Sequence, residues 1–392
     1  MKLSAAVHAT LDTFAAHGGE DRSHGGGDPG PLVLAALAAR SNGGVIHEQV
    51  LERWLEELRE LLRSGTLTFG PTGPLAALAV AKPLVPRLGP LGHSLWDQVA
   101  EGLPRDCWRT RDVTWLDYDV IRGPAGMLLS LVASGRLDAS GAAARRRLAG
   151  RCARQLLELC DHEELASFRL GRDHGDERLR WGEGRVNTGL AHGIAGVALA
   201  LRSALEHRLA PAARTRAALT RLSRWLVAHS YVDRSGLRAW PQANLDGAAP
   251  PPQALRPQAW CYGTPGIAWS LWESGRVLGR RELQSFALEA MRSWCVAVSP
   301  TIDRSANRSE KLALCHGVAG NLAIADCFAR HARFEPAAKR AGELERLLAR
   351  EFDADSSLVR DPSLLDGAPG ILAVLLTRRG APRRWLVPLG LR

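Results

Sequence analysis

Residues 189–201 read Gly-Leu-Ala-His-Gly-Ile-Ala-Gly-Val-Ala-Leu-Ala-Leu: an imidazole, His192, stands directly before a Gly-x-x-Gly element, and an uncharged apolar run follows. The same element returns beside metal-ligand residue types in Trp260-Cys261-Tyr262-Gly263-Thr264-Pro265-Gly266 and in Leu314-Cys315-His316-Gly317-Val318-Ala319-Gly320. Three further copies run from Gly70 to Gly73, from Gly123 to Gly126 and from Gly367 to Gly370. Between first glycines the steps are 53, 70, 70, 54 and 50 residues, each long enough for a helical hairpin with its loops. Internal periods of this order mark an array of similar units, none of which buries its apolar face alone.

The runs behind the glycines (Met127 to Val132, Ile194 to Leu201, Ile267 to Leu271, Val318 to Ala325, Ile371 to Leu376) predict buried helices that begin at the glycines. Between them lie segments with apolar residues at three- and four-residue steps, such as Val50, Leu51, Trp54, Leu55, Leu58 and Leu62, or Leu344, Leu347, Leu348 and Phe352. That spacing is the pattern of amphipathic helices covering a core. Six to seven alternations of the two kinds predict an all-α fold, an inner ring of helices wrapped by an outer ring, with residues 1–392 forming one domain. Glycine-rich residues 18–31 are expected to be a flexible loop. Residues 82–117 are expected to hold a small extension, and the proline-rich stretch 241–258, which runs into Cys261, is expected to form a rim.

The net charge is +10 and the pI about 9.8, but Arg outnumbers Lys 47 to 4. Scattered solvated arginines account for that balance, so nucleic acid is not the expected partner. Of the seven cysteines, Cys152 and Cys160 share helical periodicity with Leu156 and Leu159, and Cys327 follows a buried run, so these three read as core residues. Met1 to Phe14 reads as an amphipathic helix and not as a secretory signal, and no apolar stretch reaches the roughly 18 residues of a membrane span. A cytoplasmic location is the expectation.

Two thiols and one imidazole (Cys261, Cys315, His316) are three of the four ligands of a zinc ion, and a three-ligand site leaves a position for water or substrate. The same residues also fit two core cysteines and an adjacent histidine. Cys315 and His316 are sequence neighbours, whose side chains point about 100° apart on a regular helix, so both reach one ion only where a helix is starting. Taken alone, His192 reads as a hydrogen-bonded structural histidine, Tyr262 as an aromatic wall and Asp119 as an acid at a helix N-terminus.

The order Asp119-Val-Ile-Arg-Gly-Pro-Ala-Gly, Asn187-Thr-Gly-Leu-Ala-His192-Gly-Ile-Ala-Gly, Trp260-Cys261-Tyr262-Gly, Cys315-His316-Gly and Leu365-Asp-Gly-Ala-Pro-Gly resembles the lanthionine synthetase C family over roughly residues 65 to 378. The resemblance implies an α/α toroid that closes thioether rings on dehydrated precursor peptides. It implies one Zn2+ per chain, held by Cys261, Cys315 and His316. His192 becomes the acid/base group that protonates the α-carbon after thiol addition, and Tyr262 a hydrogen-bond donor to the enolate or itself the proton source. Asp119 orients the histidine or a nearby arginine. The family's arginine stands four residues before the cysteine of Trp-Cys-Tyr-Gly; here that position is Pro257, and Arg256 lies one residue earlier.

The reading is a stand-alone lanthipeptide cyclase making lanthionine or methyllanthionine from dehydroalanine or dehydrobutyrine. A separate dehydratase and a transporter are its implied partners in a complex peripheral to the membrane, and its basic surface is a place for an acidic leader peptide or a partner enzyme. Addition of glutathione to dehydroamino acids in proteins is the nearest alternative, and a non-catalytic zinc-containing peptide-binding scaffold is the alternative from another class. A glycoside hydrolase would need paired carboxylates where this sequence shows Cys and His.

Overall fold

A computed structural model describes residues 3–18, 27–41, 45–65, 67–82, 85–86, 88–139, 142–162, 164–171, 177–244, 258–299, 308–352 and 357–392. In chain order the helices are α1 (Leu3–His17), α2 (Gly30–Ser41), α3 (Glu48–Ser64), α4 (Pro74–Ala81), α5 (Leu88–Gly102), α6 (Pro124–Ala133), α7 (Ala143–Leu159), α8 (Ile194–Glu206), α9 (Ala212–Ala228), α10 (Thr264–Leu278), α11 (Arg281–Ala297), α12 (Arg308–Leu312), α13 (Val318–His331), α14 (Glu335–Glu351) and α15 (Ala368–Arg378). Strand among the described residues is confined to two antiparallel pairs, Val186–Asn187 with Ala243–Asn244 and Tyr231–Val232 with Arg238–Ala239. The chain is all-α, as its periodicity predicts.

Six buried helices start as the glycines predict. Gly73, Gly123, Gly193, Gly263, Gly317 and Gly367 are the N-cap residues of α4, α6, α8, α10, α13 and α15. At Gly73, Gly123, Gly193, Gly317 and Gly367 glycine is required for space, because a Cβ there would meet backbone atoms within 2.4 Å. The chain turns back beneath each helix start, and a Cβ on Gly193 would run into the Asn187 carbonyl oxygen. Gly263 adds a conformational demand: its φ of 97° lies where only glycine sits without strain. In the first copy the register differs from the expectation. Gly73, not Gly70, caps α4, and Pro74 fills the first helical position, where a missing N–H costs nothing.

By contacts the chain divides into two compact units. The first comprises Met1–Leu95, Pro300–Val387 and Leu391–Arg392. There α2 packs on α4 and α15, α15 packs on α13, and the amphipathic α1, α3 and α14 cover them, so the two ends of the chain build one core. α3 buries Val50, Leu51, Trp54 and Leu58 and leaves Leu62 exposed. The second unit comprises Trp96–Ser299 and Pro388–Gly390. Its buried helices α6, α8 and α10 pack in sequence, each backed by the helix that follows it, α7, α9 or α11.

Of the segment 18–31, residues 19–26 lie outside the described residues, but Gly27 to Pro31 are buried and Gly30 opens α2. The run Leu32 to Ala39 is buried throughout, making α2 a seventh apolar helix among the described residues. Asp28 fixes this entry: its Oδ1 accepts from the backbone N–H of Gly30 at 2.8 Å and of Leu364 at 2.7 Å, joining the first repeat to the last. The region 82–117 contains α5, then irregular turns over 103–114 and a 3-10 turn at Trp115–Asp117. Cys152, Cys160 and Cys327 are fully buried, as expected of core thiols, and burial pushes the Cys327 thiol up to about 11. No described helix is long and apolar enough to cross a membrane.

Candidate active site

In five of the six copies, the turn before the capping glycine carries a titratable side chain. The residue immediately ahead of the glycine is Arg122, His192, Tyr262, His316 or Asp366 in successive copies, and the residue before that is a cysteine twice, Cys261 and Cys315. Backbone hydrogen bonds tie neighbouring turns together. Within the second unit, the Cys261 carbonyl accepts from Leu190 N at 2.8 Å and Ala191 N at 3.2 Å, and the Ala191 carbonyl accepts from Val120 N at 3.0 Å. Within the first unit, the Leu365 carbonyl accepts from Leu314 N and Cys315 N, both at 2.9 Å.

In the second unit Asp119 and His192, far apart in sequence, meet. Asp119 Oδ2 lies 2.7 Å from His192 Nδ1, with the carboxylate side chain 2% exposed and the imidazole 26%. The other oxygen, Oδ1, accepts from the backbone N–H of Arg122 at 2.8 Å and of Gly123 at 2.7 Å. One oxygen thus bonds the turn at the start of α6 and the other meets the imidazole. With Nδ1 engaged, Nε2 is the ring nitrogen presented for proton exchange.

Tyr262 is held from two sides. Asn187 Nδ2 donates to its hydroxyl oxygen at 2.8 Å, and Asn187 Oδ1 accepts from Gly189 N at 2.9 Å. Gly189 must be glycine because a Cβ there would meet the Cys261 carbonyl oxygen and the Tyr262 ring, each at 2.7 Å. The Tyr262 and His192 ring centroids are 6.4 Å apart. Cys261, Tyr262, His192 and Asp119 therefore sit on mutually bonded turns of one unit.

Cys315 and His316 stand on the turn that opens α13 in the first unit, the helix start their adjacency requires. One tetrahedral zinc with Zn–S of about 2.3 Å and Zn–N of about 2.0–2.1 Å needs about 3.6 Å between its sulfur and nitrogen. Cys315 Sγ and His316 Nε2 are 3.9 Å apart, so this donor pair fits such an ion. Cys315 is buried and the positive end of α13 favours its thiolate. His316 Nδ1 lies 3.9 Å from Asp366 Oδ1, a charge-range separation longer than a hydrogen bond.

Arg256 and Pro257 lie outside the described residues, and so does most of the proline-rich stretch expected to form a rim. Asn187, Asp366, Trp115 and Trp181 carry site contacts that the sequence reading did not assign. Asn187 and Asp366 each stood inside a quoted motif, which was the signal available. Nothing in the spacing of Trp115 and Trp181 brings them together.

A family model described as lanthionine synthetase C-like protein matches residues 22–385. No curated protein matches the chain. Among solved structures, nisin cyclase, an α/α toroid, is similar with a TM-score of 0.74 at 19% identity, over 99% of this chain and 96% of that one. At that identity the likeness speaks for the fold alone.

Proposed function

Because the chain belongs to the lanthionine synthetase C-like family, we propose that it is a lanthipeptide cyclase that adds cysteine thiols of a dehydrated precursor peptide to dehydroalanine or dehydrobutyrine. The observation that carries this reading is the pairing of buried Asp119 with half-buried His192, on the turn bonded to the Cys261–Tyr262 turn. Thiol addition to a conjugated double bond needs the substrate cysteine's proton removed and a proton delivered to the α-carbon, and an imidazole and a phenol are groups able to handle those protons.

Cys261, Cys315 and His316 are the proposed ligands of one Zn2+ per chain. When bound, zinc supplies Lewis acidity that lowers the pKa of a substrate thiol toward neutrality. The protein's own groups handle the rest. His192 Nε2 accepts the proton the thiol releases and returns one to the α-carbon once the S–Cβ bond has formed, while Asp119 holds the ring and balances its charge. Tyr262, steadied by Asn187, offers a hydroxyl toward the enolate oxygen. The precursor peptide comes from a separate dehydratase, with a transporter downstream, and we place the reaction in the cytoplasm.

The test is incubation with a dehydrated peptide bearing one cysteine, with and without glutathione, followed by thiol alkylation and mass spectrometry. Ring closure leaves the mass unchanged and removes the alkylation; this is the expected result. A glutathione adduct in place of a ring makes the protein an intermolecular thiol transferase, and an untouched peptide beside bound metal makes it a scaffold.

A further inference from the structure

Four rings form a continuous aromatic cluster in the second unit. Trp115 stacks on His192 with centroids 4.4 Å apart and planes 23° apart; Trp181 lies 6.1 Å from Trp115 and 6.3 Å from Tyr262; and Tyr262 lies 6.4 Å from His192. The two rings already given proton-handling roles are thus bridged by two tryptophans without such a role. Trp115 belongs to the turn that fixes Asp119, whose N–H donates to the Trp115 carbonyl at 2.8 Å. The imidazole is thereby held at its edge by a carboxylate and on its face by an indole.

Trp181 is 41% exposed, on the 3-10 segment Glu177–Gly182. A large apolar ring left that open keeps a substantial part of its surface that its own fold does not bury. Centroid separations near 6 Å leave no room to enclose a ligand among the four rings, so what the cluster offers is its outer surface. That surface is apolar and aromatic, and it is continuous with His192 and Tyr262.

We propose that Trp181 is a substrate-binding residue that stacks against the planar, uncharged C=C–C=O unit of the dehydrated residue, with Trp115 backing both it and His192. This rests on the cyclase reading and extends it: the site distinguishes dehydrated residues from the serine or threonine they came from. A dehydrobutyrine residue is flat, conjugated and without a hydroxyl, so it gives an indole face full contact; threonine is tetrahedral and would have to desolvate its hydroxyl there.

The test uses the full chain, zinc-loaded, and two peptides of one sequence, carrying dehydrobutyrine or threonine at the reacting position and alanine in place of cysteine so that no turnover occurs. Binding is measured calorimetrically for the parent, Trp181→Ala and Trp181→Phe. The parent is expected to prefer the dehydrated peptide. Trp181→Ala should lose about 3- to 10-fold affinity for it and little for the threonine peptide, while Trp181→Phe retains most of the preference. Zinc content and the circular dichroism spectrum should be unchanged. Equal affinity of the parent for both peptides, equal loss of both in Trp181→Ala, or no loss overturns the proposal. Ring closure by the parent on the cysteine-bearing peptide is scored separately, so a parent that cyclises while Trp181→Ala binds normally sinks the stacking role alone. A parent that closes no ring sinks the cyclase reading, and the binding comparison still decides the role of Trp181.

Discussion

Asp119 grips His192 with one carboxylate oxygen and its own turn with the other: Oδ2 is 2.7 Å from the imidazole Nδ1, and Oδ1 receives the N–H groups of Arg122 and Gly123. The two oxygens can be separated by mutation. Asp119→Asn keeps an acceptor for the turn and places an amide against Nδ1, which reverses the ring's tautomer and denies Nε2 its lone pair. Folding should survive and ring closure should fall by about 10²- to 10⁴-fold. Asp119→Ala should show the same kinetic loss and, in addition, a lower melting temperature from the uncapped turn. Parent-like turnover in Asp119→Asn would remove Asp119 from the mechanism.

Metal content separates ligands from proton-handling residues. Cys261→Ala, Cys315→Ala and His316→Ala should each lose zinc, read by atomic absorption, and His192→Asn should retain it while losing most turnover. Asp366→Ala should leave all three ligands in place and weaken metal binding less than loss of any of them, because its carboxylate is 3.9 Å from His316 and not hydrogen-bonded to it. Full occupancy in either cysteine variant would refute that ligand assignment.

Asn187→Ala and Tyr262→Phe act on one hydroxyl, so their effects should not add. Each should lower turnover, and the double variant should fall little below the worse single one, the coupling expected of residues in contact. Simple additivity would mean that Asn187 serves the Gly189 turn and not the tyrosine.

Glu273 is fully buried on α10 and accepts from Arg276 at 2.9 and 3.2 Å, with Arg202 of α8 beside it at 3.3 Å. Glu273→Ala removes the buried carboxylate shared by Arg276 and Arg202, but both arginines keep Glu206, so the loss in urea unfolding should be about 1–3 kcal/mol, below that of a buried pair broken outright. Zinc content of the fraction still folded should be unaffected.

Burial raises the Asp28 carboxyl to about 7 against the opposing pull of its two backbone N–H bonds, with Asp361 and Asp366 adding to the rise. The folded chain therefore holds this proton between about pH 4 and 7 while the unfolded chain has released it. Stability falls as pH climbs through that window, by up to about 1.4 kcal/mol per pH unit from this group, and levels off above it. Asp28→Asn keeps the acceptor and removes the ionisation, so its advantage over the parent should grow from pH 5 to pH 8. A constant difference across that range would show that Asp28 does not titrate there.

The fold was legible because its signal repeats: glycine at the cap and an uncharged run behind it, with Gly193–Leu201 as the clearest copy. The seventh helix escaped because the Gly-rich stretch before Gly30 masked Gly30-Pro31-Leu32, the same Gly-Pro-apolar start seen at Gly73 and Gly123. Asp119 and His192 entered the proposed site through the family resemblance, since taken alone they read as a helix-terminal acid and a structural histidine. Residues that hold such groups were not legible: a hydrogen bond from Asn187 to Tyr262, or a stack of Trp115 on His192, depends on folding of chain segments about 75 residues apart, and local spacing does not encode it.

The turn ahead of each capping glycine is a socket whose backbone is set by its neighbours and whose occupant is not. Imidazole, phenol, carboxylate and guanidinium all sit in it without disturbing the helix that follows. Duplicating one helical hairpin thus copies an empty chemical position along with the packing that supports it. In such a lineage a new activity needs only a change of occupants, and a socket whose occupant is no longer needed can revert to a plain residue with no loss to the fold.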